Sequence, residues 1–105
     1  TTWQLKRMMG RDLQLKADQF VFTFSPEGRF SGAGACNRLM ADYKSSDKGV
    51  MQIGALAGTR RMCPDQALEA EFTKIISQIT HYEVDGDMLL LLSNGELHAI
   101  LQAVK

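Results

Sequence analysis

Two cysteines and two histidines are the residues of this chain best suited to nucleophilic, redox or metal chemistry. Cys36 and Cys63 lack CxxC spacing, and His81 and His98 stand far from both and from each other. A structural zinc site takes four ligands that normally come in closely spaced pairs, so no metal set is assigned. A Cys nucleophile needs an imidazole beside it and a third group to orient that imidazole. Asn37 follows Cys36 directly, but neighbours on a strand project to opposite faces. No catalytic residue is assigned, and the histidines read as strand residues, His81 at a strand start and His98 on the polar side of the last strand. Spacing alone leaves a Cys36 to Cys63 bridge and two buried free thiols equally open. A bridge would stabilise the fold by about 3.5 kcal/mol through the loop that it closes.

Gly32-Ala33-Gly34 is the nearest approach to a phosphate-cradling loop. A dinucleotide fingerprint needs a third glycine at the start of a helix, and a P-loop needs Gly-Lys followed by Ser or Thr. Neither is present, so no cofactor is assigned and the glycines read as a bend in a strand. Asn37, Thr59, Arg60 and Arg61 could gather around that bend. Asn and Thr there would satisfy backbone groups left unpaired by irregular strands, and the arginines would be solvated. The six methionines show no MxM or MxxM spacing of a copper site and read as gap-fillers.

These residues must be positioned by a modest scaffold. The chain has 105 residues, 45% hydrophobic, which fits one domain over 1–105 with a core of its own. Lys plus Arg and Asp plus Glu number 12 each. With no positive excess, nucleic acid is not an expected partner. No apolar run approaches the ~20 residues of a membrane-crossing helix.

The segment from Trp3 to Met8 alternates apolar and polar residues as a half-buried strand does, and Asp12–Lys16 predicts a short second strand through Leu13 and Leu15. Phe20, Phe22 and Phe24 alternate with Val21 and Thr23 and define a core-facing strand. Ser25-Pro26-Glu27-Gly28 is turn chemistry, and Arg29–Ser31 returns as the partner. The pattern resumes from Cys36 to Tyr43, pauses at the polar loop 44–49, and continues to Ile53-Gly54. Leu68, Phe72, Ile75, Ile76 and Ile79 then share one stripe of an α-helix over about 64–79, with Asp65, Glu69 and Glu71 complementing its positive end. Asp85-Gly86 and Asn94-Gly95 separate three closing strands as hairpin turns do. Met88–Leu92, apolar on both faces, reads as a central strand covered on one side by the helix. The expected class is α+β: a curved, mostly antiparallel sheet, open or barrel-like, packed against one amphipathic helix.

Taken together, Trp3-Gln4-Leu5, the Phe-rich strand, Gly32-Ala33-Gly34-Ala35-Cys36-Asn37 with Tyr43 beyond it, and Ile53-Gly54 through Ala57, Thr59 and Met62 into Cys63 resemble the META domain family. The resemblance spans nearly the whole chain. Ala41 stands where the family shows Gly before the Tyr, and Arg61-Met62-Cys63 replaces Met-Ala-Cys. The resemblance implies a bacterial envelope setting, periplasmic or as an outer-membrane lipoprotein whose anchor segment is not in this chain. In an oxidising envelope it favours the Cys36–Cys63 disulfide. It carries over no catalytic residue. What it implies is a non-enzymatic module that binds an envelope protein or component and is linked to envelope stress or secretion. The alternative is a carrier of a small hydrophobic ligand or lipid, held under the helix against Phe20, Phe22 and Phe24.

Overall fold

The computed structural model describes residues 1–59 and 61–104. Its elements follow in the order β1 (Thr2–Met8), β2 (Arg11–Asp12), β3 (Val21–Phe24), β4 (Arg29–Ala33), β5 (Arg38–Ser45), β6 (Met51–Ile53), β7 (Ala57–Gly58), α1 (Gln66–Ile76), β8 (His81–Asp85), β9 (Met88–Ser93) and β10 (Glu96–Val104). The main path of the sheet is β6-β5-β4-β3-β1-β10-β9-β8, with β2 added to β1 and β7 to β5. The described pairings are antiparallel, as expected for strands joined by short turns. Thr2 at the start of β1 lies opposite Val104 at the end of β10.

The sheet curls until its two end strands approach. Val50 bridges to His81, the Met51 N–H donates to the Thr80 carbonyl at 2.9 Å, and the Tyr82 N–H donates to the Gly49 carbonyl at 2.8 Å. The expected α+β class, one helix on a curved antiparallel sheet, is the class observed.

Alternation along the strands builds the interior. Leu5, Leu101 and Leu89 form one inward row across β1, β10 and β9, and Met8, Ala99 and Leu91 form the next; all six are buried. The helix brings Phe72 into this interior, where its ring stacks on Phe22 at 5.0 Å and meets Phe20 edge-on at 5.3 Å. Phe22 in turn stacks on Phe30 at 4.8 Å. Burying four such rings stabilises the fold by about 2–3 kcal/mol each.

Several expectations need correction. The helix is shorter than 64–79. Pro64 precedes it, and beyond Ile76 the N–H groups of Gln78 and Ile79 donate to Ile75 and Ile76 in tighter turns that still leave Ile79 buried. Phe20 lies outside β3 with φ 54, although its ring is fully buried. The second strand is only Arg11–Asp12, while Leu13 and Leu15 pack on the core from a loop. β9 is an interior strand, paired with β10 on one side and β8 on the other, but its two faces are not equally covered. Its inward Leu89 and Leu91 are buried, whereas Leu90 and Leu92 on the other face are only partly buried. His98 is not on a polar face. It is buried at a bulge, where the β10 register skips from the Leu97–Leu92 pair to the Ala99–Leu91 pair.

Candidate functional site

Two strand irregularities prepare the corner where β4, β5 and α1 meet. A Cβ on Gly32 would lie 2.0 Å from the Val21 carbonyl oxygen and 2.8 Å from the Phe22 Cα, so β4 approaches β3 more closely than any side chain permits. At Gly34 the space is taken by side chains instead, since a Cβ would lie 2.7 Å from Glu69 Oε2 and 3.0 Å from Leu39 Cδ1. Beyond Gly34 the chain leaves the strand, and Cys36 joins Cys63 in a disulfide with Cα atoms 6.3 Å apart.

Asn37 is the hub of this corner. Its Oδ1 accepts from the Arg61 N–H at 2.7 Å and from the Thr59 hydroxyl at 2.9 Å. Its Nδ2 donates to Glu69 Oε1 at 2.7 Å and to the Arg61 carbonyl at 3.2 Å. Glu69 Oε2 accepts from the backbone N–H groups of Cys36 at 3.1 Å and Asn37 at 3.2 Å. Thr59 also accepts the Arg38 N–H at 3.1 Å. A buried carboxylate is thus compensated by three N–H donors from one loop, in the first turn of a helix whose dipole also favours negative charge. Arg60, grouped with these residues in the sequence, lies outside the described residues.

Chemically this corner is a clamp. The sulfurs are bonded to each other, the amide is used at both ends, and each carboxylate oxygen is occupied. Gly34, Cys36, Asn37, Thr59 and Cys63 converge here, with Gly32 setting the approach. Tyr43 and Gly54 lie elsewhere. The Tyr43 ring meets Phe24 edge-on at 5.0 Å and its hydroxyl donates to the Ser25 carbonyl, while the Gly54 N–H donates to the Asp42 carbonyl at 2.8 Å. Glu69, read from sequence as a dipole complement, does stand in the first turn of the helix and is also the acceptor that ties the corner to it. The signal was available: Glu69 stands three residues before Phe72 and seven before Ile76, on the stripe that faces the core.

The carrier reading places a ligand beneath the helix. The rings of Phe20, Phe22, Phe30 and Phe72 fill that space in mutual contact, and Phe24 is only partly buried, against Phe30 and Tyr43.

A second region lies on the opposite face of the sheet. Residues directly opposite each other on paired strands share a face, so Glu83, Leu90, Ile100 and Arg7 form one outward row across β8, β9, β10 and β1. His81, Leu92 and Leu97 form the row on one side of it, and Asp85, Met88 and Gln102 the row on the other. Leu97 is 41% exposed and Met88 37%. Beside this face a recess of about 240 Å³ is lined by Arg7, Met9, Leu97, His98 and Ile100 among others. It lies between the end of β1 and the β10 bulge, where the Met9 N–H donates to the His98 carbonyl at 2.8 Å.

Comparison with known proteins agrees with this architecture. A protein of the duf4847 family from Bacteroides vulgatus ATCC 8482 superposes with a TM-score of 0.65 over 79% of this chain, at 21% identity; the chain spans 57% of that protein's length. A protein from Burkholderia xenovorans, determined by NMR, gives 0.72 over 97% of this chain and 80% of its own, at 23% identity. A further NMR structure gives 0.73 over 96% of this chain and 86% of its own, at 19% identity. At these identities the likeness is one of fold. None of the curated proteins compared with it matches the chain. Residues 1–105, the whole chain, match the META domain, a bacterial family not known as enzymatic. The chain belongs to the META domain family.

Proposed function

We propose that this chain is a single-domain, non-enzymatic binding module of the bacterial envelope, periplasmic or tethered as an outer-membrane lipoprotein, that docks a protein through the outer face of β8, β9, β10 and β1. One observation carries the reading. Leu90, Leu92 and Ile100 lie side by side, each partly buried, with the exposed Leu97, Met88 and Met9 around them. A contiguous apolar patch on a soluble domain costs free energy in water unless a partner covers it. The adjoining recess beside the β10 bulge adds Met9, Leu97 and Ile100 to the apolar lining. The disulfide supports the setting, because such bonds persist in oxidising compartments. The filled interior favours surface docking over ligand carriage.

The test is site-specific photo-crosslinking in bacteria that export the protein. A crosslinking amino acid at Leu90 should give a discrete adduct, whereas one at Thr23, exposed on β3, should give none. Equal labelling at both positions, or none at Leu90, would remove the docking face.

A further inference from the structure

We infer that the occupant of this face is a second copy of the same chain, docked about a two-fold axis parallel to the strands. The inference rests on the reading of the face as a binding surface and adds the partner's identity. It comes from the order of residues along the central row. Glu83 lies opposite Leu90, Leu90 opposite Ile100, and Ile100 opposite Arg7, so the row runs acid, apolar, apolar, base across four strands.

A two-fold axis lying in the contact plane, along the strands, reverses that order in the second copy. Glu83 of each copy then meets Arg7 of the other, and Leu90 of each packs over Ile100 of the other. Every contact occurs twice, as an isologous interface requires, and association stops at two chains. On one flank Asp85 adds a second acid on β8, and its row continues through Met88 and Gln102 to Gln4, whose Oε1 accepts from Lys6 Nζ at 3.2 Å. An unrelated partner would have to supply the opposite gradient from its own sequence, whereas a copy presents it by symmetry. The charges of the chain balance at 12 and 12, so two copies approach without net repulsion.

Arg7 is available for this role. Its Nη2 donates to the Gly10 carbonyl at 3.1 Å, and its Nε lies 3.6 Å from Asp12 in an exposed pair. A guanidinium carries five N–H donors, so these contacts leave several for a carboxylate across the interface. The face is small. Four strands span about 14 Å, and a standard stable interface buries about 800 Å² on each partner. The dimer is therefore weak and reversible, in the micromolar range or above.

Charge exchange tests the arrangement. In sedimentation velocity over a concentration series reaching the millimolar range, the wild-type chain should shift from monomer to dimer. Glu83→Arg alone sets Arg against Arg7, and Arg7→Glu alone sets Glu against Glu83, so each should weaken self-association by about tenfold or more. An equimolar mixture of the two variants makes every such contact opposite in charge and should associate again, as should the double variant. Circular dichroism verifies that each variant is folded. A mixture that associates no better than either variant alone, or a wild-type chain monomeric throughout, overturns the inference. The crosslink at Leu90 separates the two readings. A monomeric chain whose Leu90 captures a different envelope protein loses the second copy and keeps the docking face, whereas a monomeric chain with no Leu90 adduct loses both.

Discussion

At the corner around Asn37, each oxygen of the Glu69 carboxylate and both ends of the Asn37 amide find partners within the chain. On the outer face of β9 and β10, Leu90, Leu92 and Ile100 stay only partly buried in a contiguous group. The two regions had opposite appearances in the sequence. The corner concentrates cysteines, glycines and an asparagine and looks chemical, while the outer face is a run of leucines and looks like core. Their geometry reverses the impression. Polar groups that saturate one another have little left to offer a substrate, and apolar groups that the chain covers only in part are available to something else.

The comparison predicts a gradient of effects. Glu69→Ala should be the most damaging, at about 4 kcal/mol in urea unfolding, because it leaves the buried N–H groups of Cys36 and Asn37 and the Asn37 amide without their acceptor. A loss below about 1 kcal/mol would show that the corner is not the clamp described. Next, replacing both cysteines by serine should cost about 3.5 kcal/mol for a bridge spanning 27 residues. Thiol titration of the unfolded, unreduced protein should correspondingly find no free thiol. Least costly should be Leu90→Thr, which keeps a strand-compatible residue on a partly buried site and should alter stability by less than about 1 kcal/mol while reducing adduct formation and self-association. If Leu90→Thr cost as much as Glu69→Ala, the division between the two regions would collapse.

Much of the scaffold could be read from residue order because local chemistry dictates it. Asn94 and Gly95 both adopt positive φ, 51 and 86, as the Asn-Gly pair between two apolar runs requires. The spacing of Phe72, Ile75 and Ile76 marks the helix and its buried stripe. What escaped depends on contacts made at a distance. Leu13 and Leu15 alternate as a strand would, yet they reach the core from a loop, because β1 is paired with β3 over Thr2–Gln4 and with β2 only at Arg7 and Met8. Met88–Leu92 signals two apolar faces, but sequence cannot say whether the second is covered by the same chain. Of the corner, the cysteines, Asn37 and Thr59 were visible as residue types in one stretch. Their common acceptor was not, since Glu69 enters from an element more than thirty positions along from Asn37.

The pairing of Thr2 with Val104 has a consequence for how the molecule can be rewired. The first and last strands are sheet neighbours, so the two ends of the chain emerge at the same place. A short linker could join them, and new ends could be opened in the polar turn between Ser46 and Gly49, whose tip makes only local and edge contacts. Such a permuted chain would keep β1, β10 and β9 contiguous, leave the Asn37 corner intact, and begin and end beside the one seam where the sheet closes on itself.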